Sequence, residues 1–343
     1  MGALVALVLL NTISRPSFLS ISVKNGQLYG SIIDILRDSA PLMLVALGMT
    51  LVIATRGIDL SVGAVMAISG AVALQFISKS TSPNRVGTVL IAIGIGVFIT
   101  LLLGLWNGFL VAVVGIQPII ATLVLMLGGR GIALLITGGF ITTITSSPYA
   151  QMAQGHLLGL PLAFFFSVGA IAIVGLLVRR TALGVLTESV GINPSASRLA
   201  GVRSRGIIWS IYGISGLLAG LAGILYSSNI MAADSNNAGF LIELDAILAV
   251  VLGGTSLRGG KFTLSGTVIG VFIIQTLTST ITFLGVPPAV TPVFKALVVI
   301  LVCLSQSSRV RQYLGRIRHL RAAKPPIRLS GLETEVLAER KSG

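Results

Sequence analysis

A chain of 343 residues with 54% hydrophobic and only 10% charged side chains, at a mean hydropathy of +0.98, has too little polar material to cover a water-facing surface. Its net charge of +14 suggests nucleic acid, but aromatic residues are only 6% and the Lys and Arg gather in a few loops and the tail rather than along a stripe, so no nucleic-acid partner is expected. Repeated apolar runs of about 18 residues or more, each able to cross a hydrocarbon core about 30 Å thick, predict an all-α polytopic membrane protein.

Ten spans are expected, at about 1–14, 39–56, 59–78, 86–105, 108–129, 161–178, 207–226, 244–257, 262–283 and 290–307. Residues 1–307 then form one transmembrane domain, and 308–343 a basic tail suited to touching anionic lipid. The run Leu4 to Ile13 has the length of a signal-peptide core, but Ser14-Arg15-Pro16 follows it instead of a small-residue cleavage site. It is read as a first span, shortened by a missing or misplaced start.

The third span opens on Gly57-Ile58-Asp59-Leu60-Ser61. Asp59 caps that helix, lines a pathway or partners a basic residue; intramembrane ionisable groups are costly enough to be functional candidates by default. Neutral polar residues suit a polyol path, and Trp106, Asn107, Gln117 and Gln275 lie in or near spans, with Asn236 and Asn237 in the loop before the eighth. Arg130 is expected to snorkel to the interface rather than to pair with a carboxylate.

The loop 179–206 holds a short amphipathic helix from about Pro194 to Ala200, capped by Asn193 and stopped by Gly201. It is a docking helix or an ordinary connector. In the seventh span Gly213, Gly216, Gly220 and Gly223 put small residues on neighbouring turns for helix packing. Glu243 and Asp245 open the eighth span as Asp59 opens the third. That eighth span is short, with Gly253 and Gly254 inside its end, and is broken or re-entrant.

The stretch from Gly254 to Phe262 resembles a phosphate-binding loop and fails as one. One residue is extra before Lys261, and Phe262 stands where Ser or Thr would hold magnesium. With His156 and His319 on opposite sides of the membrane and a single cysteine, Cys303, in an apolar run, no His-based metal site, disulfide or catalytic triad is expected, and no cofactor.

Placing the N-terminus inside gives seventeen basic residues to the cytoplasmic loops and tail and five to the outside, so both termini are expected in the cytoplasm. Spans two to five then run opposite to spans seven to ten. The acidic helix starts and the Gly-x-x-x-Gly pairs Gly104/Gly108 and Gly266/Gly270 fall in matching places, the mark of an inverted repeat.

These residues together resemble the permease family of ATP-binding-cassette importers for ribose, xylose, arabinose, galactosides and galactofuranose. The resemblance rests on Ala46 to Thr55 followed by Gly57-Ile-Asp-Leu-Ser-Val-Gly63, the loop 179–206, Ser215 to Gly223, and Glu243 to Gly260. Arg56, where the family usually has glycine, departs from the pattern, as does the missing N-terminal cytoplasmic stretch. Asp234-Ser-Asn-Asn-Ala-Gly239, Trp106-Asn107-Gly108 and Ile116-Gln-Pro-Ile119 look most like a galactofuranose permease.

The resemblance implies a monosaccharide importer of the bacterial inner membrane working by alternating access. Its implied partners are a cytoplasmic ATPase with two cassettes, a periplasmic sugar-binding protein and a second permease, in a heterodimer or homodimer. It also makes 179–206 the ATPase-coupling loop, with Glu188, Gly191, Asn193, Arg198, Ala200 and Gly201 as its contact residues. An ion-coupled secondary transporter is the rival; it would need mid-span acid pairs. An integral-membrane enzyme would need His, Cys and acid clusters.

Overall fold

The structure is a computed structural model that describes residues 2–14, 16–24, 26–285, 287 and 290–306. The basic tail, His319, Arg15 and the side chain of Cys303 lie outside the described residues. Residues up to Lys295 form one compact unit, and a second begins at Ala296. In chain order the helices are α1 (Gly2–Ser14), α2 (Ser31–Ala54), α3 (Val62–Ser78), α4 (Val86–Phe109), α5 (Pro118–Thr137), α6 (Ser147–Gln154), α7 (Leu162–Arg180), α8 (Leu183–Ile192), α9 (Pro194–Leu199), α10 (Ser204–Ile230), α11 (Ile242–Leu252), α12 (Leu264–Phe283) and α13 (Thr291–Gln306).

Among the described residues, six stretches are long and apolar enough to cross a membrane: α2, Val86–Val114, α5, α7, α10 and α12. The protein is therefore an all-α polytopic membrane protein, trimmed among the described residues by three antiparallel two-stranded ribbons of two or three residues per strand.

Burial sorts the helices. In α2, 78% of the apolar window is inside the bundle, and in α10 61%, against 28% for α4 and α5 and 22% for α7. So α2 and α10 form the centre, and α4, α5 and α7 present most of their surface outward. Lipid gives helices no hydrophobic reason to associate, so contact depends on close approach and on hydrogen bonds. At the α4–α10 crossing a Cβ on Gly104 would stand 2.4 Å from the Tyr212 carbonyl oxygen, and one on Gly216 2.7 Å from the Gly104 Cα. The second Gly-x-x-x-Gly pair works the same way, with Gly266 against Gly253 and Gly270 against Ala249.

Buried hydroxyls and amides stitch the remaining pairs. Thr50 and Thr267 share a hydrogen bond of 2.8 Å between α2 and α12, Ser69 Oγ donates to the Gly220 carbonyl at 2.8 Å, and Asn11 Nδ2 donates to Thr280 Oγ1 at 2.7 Å. Each such bond contributes about 0.6 kcal/mol in a membrane protein. The last of them docks α1 on α12, so this short helix belongs to the bundle.

Two expected boundaries are corrected. The helix expected over 108–129 does not start there: α4 runs on through a π-helical turn, Leu110–Val114, stops at Gly115 (φ 86°), and α5 begins at Pro118. Glycine supplies the left-handed stop and proline, lacking an N–H, suits a helix start. The helix expected over 244–257 is α11, which ends at Leu252, before Gly253 and Gly254.

Candidate functional site

Two non-helical segments bring helix starts into the interior. After α2 ends, residues 55–61 turn back, so that Asp59 and Gly48 both meet Ser215 of α10. Six residues of helix separate Gly48 from Ala54, which places the start of α3 about 9 Å inside the end of α2. Residues 234–241 enter from the other end along α5, and α11 begins where they stop. The two starts touch: a Cβ on Gly63 would lie 2.4 Å from the Gly239 carbonyl oxygen and 2.7 Å from Glu243 Oε2. Only glycine allows this contact.

The first start is closed. Asp59 Oδ1 accepts from the Ser61 N–H at 3.1 Å and Ser61 Oγ at 2.6 Å, Oδ2 accepts from Ser215 Oγ at 2.9 Å, and Asn107 Nδ2 donates to Ser61 Oγ at 2.8 Å. The expected cap is not formed, because Ser61 is the residue that opens α3 and no side chain bonds the free N–H groups of the helix; Asp59 instead braces Ser61 and ties this start to α10. At 2% exposure it faces no open path, and Asn107, at 1%, belongs to the same knot.

The second start is held by Arg130, which corrects the expectation that this side chain snorkels. Its Nη1 donates to the carbonyls of Ser235 at 2.9 Å and Ala238 at 2.5 Å, and Glu243 and Asp234 lie near enough to compensate its charge. Irregular backbone packed along an apolar helix needs donors for its carbonyls, and a guanidinium supplies several. Ser235 Oγ donates in turn to the Ala133 carbonyl at 3.1 Å.

Asp234 turns the segment by accepting from the N–H groups of Asn236 and Asn237, both at 3.1 Å, and from Asn237 Nδ2 at 2.7 Å. Desolvation pushes its carboxyl up, but the Asn237 and Asn236 hydrogen bonds and the nearby Arg130 outweigh that and hold it below the usual carboxylate range. With its backbone so fixed, the segment leaves Asn236, Asn237 and Phe240 exposed. Glu243 is buried at 4% exposure.

The other predicted polar residues are spread out. Gln117 is exposed at the start of α5, Gln275 is half-buried on α12, and Trp106 is exposed and stacks on Phe109 at 6.1 Å between ring centroids. Asp245 pairs with Lys295 at 2.6 Å. Lys295 was readable as its partner, because a lysine inside one apolar run and an aspartate inside another each need an opposite charge.

At the end of the bundle holding 183–203 the short helix expected from about Pro194 to Ala200 is present as α9. Asn193 Oδ1 caps it, accepting from the N–H groups of Ser195 at 3.1 Å and Ala196 at 3.0 Å, and Gly201 ends it at φ 85°. Glu188 is half-buried and lines a cleft with Arg179 and Phe262, whereas Arg198, Ala200 and Gly201 are exposed. Leu199 is 92% exposed beside them, a large apolar side chain that sequence reasoning passed over.

Sequence reasoning also missed α8 in front of α9, and what anchors it. Arg56, at φ 66°, donates through Nε to the Gly191 carbonyl at 2.5 Å and through Nη2 to the Ile192 carbonyl, satisfying the end of α8. The Gly260 N–H donates to the Ala54 carbonyl at 2.9 Å, so the glycine-rich stretch that fails as a phosphate loop closes the same joint. Gly191 is wedged there, since a Cβ on it would lie 1.9 Å from the Ala54 carbonyl oxygen.

Residues 31–303 match the family model described as branched-chain amino acid transport system / permease component. The chain is 47% identical over 316 residues to the galactofuranose transporter permease protein of Escherichia coli, covering 92% of this chain and 91% of that one. It is 43% identical over 328 residues to the fructose import permease protein of Bifidobacterium longum, covering 94% and 90%. It is 35% identical over 317 residues to the ribose import permease protein of Haemophilus influenzae, covering 91% and 92%. No solved structure gives a significant match.

Proposed function

From the premise that this chain belongs to the branched-chain amino acid transport system / permease component family, we infer that it is the membrane-spanning permease subunit of an ATP-binding-cassette importer whose cargo is a monosaccharide, galactofuranose or a closely related sugar. One observation carries the reading of the route. The segment 234–241 packs along α5, a helix long and apolar enough to cross a membrane, and against the start of α3, with its side chains Asn236, Asn237 and Phe240 exposed. Polar irregular structure facing lipid is prohibitive, so that surface belongs to a cavity or a subunit interface.

Two amides and an aromatic ring suit a neutral polyol. A zwitterionic amino acid would need paired charges, and here Asp59 and Asp245 are engaged while Arg130 is spent on backbone carbonyls. The route therefore runs between this chain and a second permease, past Asn236 and Asn237 with Gln117 and Gln275 further along. Asp59, Asn107, Glu243 and Asp245 hold the frame around it.

The same reading makes the ten apolar segments ten spans in an inverted repeat, with α3 and α11 as its matching interior helix starts. Both termini are cytoplasmic, residues 1–307 form the transmembrane domain, and the basic tail lies on the inner leaflet. Hydrolysis belongs to a partner ATPase that seats on α8 and α9, where Leu199, Ala200, Gly201 and Arg198 reach out and Glu188, Gly191 and Asn193 set the angle. A soluble sugar-binding protein delivers cargo on the other face.

The test is uptake in inside-loaded vesicles carrying the whole complex. Uptake should require internal ATP and persist when the proton gradient is collapsed, whereas gradient-driven uptake without ATP would refute the reading. Ala200→Arg should leave permease levels unchanged and release the ATPase on purification.

A further inference from the structure

The knot at the start of α3 carries a charge that its surroundings do not answer. Asp59 is 2% exposed, and its carboxylate is the acceptor in all three of its hydrogen bonds, as an ionised group takes them. Among the described residues no Lys or Arg forms an ion pair with it: Lys295 serves Asp245, and Arg130 serves the segment before α11. The helix start itself supplies only about half an elementary charge. Glu243 Oε2 lies on that same start, 2.7 Å from a Cβ on Gly63, so even this is shared. Buried charges are paired or hold an ion.

Two further oxygens at the knot have no hydrogen-bond partner. Asn107, 1% exposed, spends its Nδ2 on Ser61 Oγ, which leaves Oδ1, on the same carbon, unpartnered. The amide cannot be turned round to relieve this. Ser61 Oγ gives its only hydrogen to Asp59, so it must accept from Asn107. Tyr212, fully buried, stands three residues before Ser215 on the same face of α10, and its Oη is unpartnered too. That Oη is pressed on the turn before α3, where a Cβ on Gly57 would lie 2.6 Å from it. It is near enough to Asp59 for the carboxylate's charge to act on it. Buried polar atoms are rarely left unsatisfied, and two beside one uncompensated carboxylate call for the same positive partner.

We propose that this cluster is a sodium-ion site, with the Asp59 carboxylate, Asn107 Oδ1 and Tyr212 Oη as its protein ligands. Oxygen ligands suit a hard cation, and one carboxylate among neutral oxygens balances a single positive charge. Among the described residues no three His, Cys, Asp or Glu side chains gather to hold a divalent or transition metal. Close packing selects a small ion, since Gly57 and Gly108 both press on Tyr212, with Cβ positions 2.6 Å from its Oη and 3.0 Å from its Cβ. Every ligand is buried, so the ion belongs to the frame joining the start of α3 to α4 and α10, and does not travel with cargo.

The test takes the full chain in mild detergent through sodium, potassium and choline chlorides at equal ionic strength. Sodium should raise the thermal midpoint by about 3 °C over choline, and potassium should behave as choline does. Binding of radioactive sodium should exceed that of Asp59→Asn by one ion per chain, and Asp59→Asn should show no sodium shift. Asp34→Asn makes the same change of charge at a carboxylate paired with Arg37 and should keep the shift.

Tyr212→Phe guards against a folding defect. It removes a buried hydroxyl that has no partner, so in choline it should melt no lower than wild type, while binding sodium about tenfold more weakly. Equal midpoints in sodium and choline, or equal sodium binding by wild type and Asp59→Asn, would overturn the proposal and leave the carboxylate to a proton or a water. Wild-type sodium affinity in Tyr212→Phe would overturn the assigned ligand set.

Discussion

Two helix starts in this molecule carry similar sequence, an acidic residue opening an apolar run, yet they are built differently. At Asp59 the carboxylate takes three hydrogen bonds from Ser61 and Ser215 and vanishes into the core. At Glu243 the helix is reached through an irregular segment whose carbonyls are held by Arg130, arriving from α5 more than a hundred residues earlier in the chain. Short hydroxyl donors make a rivet that leaves nothing exposed. A long cation that binds backbone fixes a segment while leaving Asn236, Asn237 and Phe240 exposed. The second arrangement leaves polar side chains exposed, and the first makes the frame they stand on.

Arg130→Gln strikes the second region hardest. It leaves carbonyls without donors beside an apolar helix and Glu243 without its nearby cation, a loss of about 3 kcal/mol. Uptake should fall about a hundredfold while the chain still inserts, measured by transport in vesicles against membrane protein level. Wild-type transport would show that the segment needs no anchor.

Asp59→Asn gives a smaller effect of another kind. It keeps an acceptor but removes the charge from the hydrogen bonds, so thermal stability in detergent should drop by about 1–2 kcal/mol with the half-saturating sugar concentration unchanged. A shift in sugar affinity without loss of stability would return Asp59 to the route.

The helices themselves were legible because apolar run length and glycine spacing are local signals. Gly104 and Gly216, Asn193 and Gly201 all act where their sequence context placed them. The stop at Gly115 was missed because Leu110 to Val114 is as apolar as the helix before it, and hydropathy does not register a left-handed residue. The site was legible only as a set of residue types. Whether Asn237 faces outward depends on Arg130 reaching Ser235 and Ala238, 105 and 108 residues away, and whether Asn107 does depends on Ser61, 46 residues away. Leu199 was passed over because an exposed leucine on a six-residue helix has no signature until that helix is seen standing clear.

The smallest effect separates the turn from its anchor. Asp234 is held below the usual carboxylate range, so its contribution to the segment is fully present above its unfolded value of about 3.9 and is lost as pH falls through the lower folded value. Hydrogen exchange at the Asn236 and Asn237 amides should therefore stay protected to below pH 4 and loosen further down. In Asp234→Asn that acid-dependent step should disappear. An unchanged pH profile in the variant would mean the turn does not depend on this carboxylate.

The central claim, that the segment before α11 lines the sugar route, is tested most directly by thiol accessibility. With Cys303→Ser as background, Asn237→Cys in the assembled importer should react with a membrane-impermeant maleimide added from the binding-protein side, and cargo-loaded binding protein should slow that labelling. If the introduced thiol reacts only with a lipid-soluble reagent, at a rate indifferent to cargo, the segment lies against lipid and the account is contradicted.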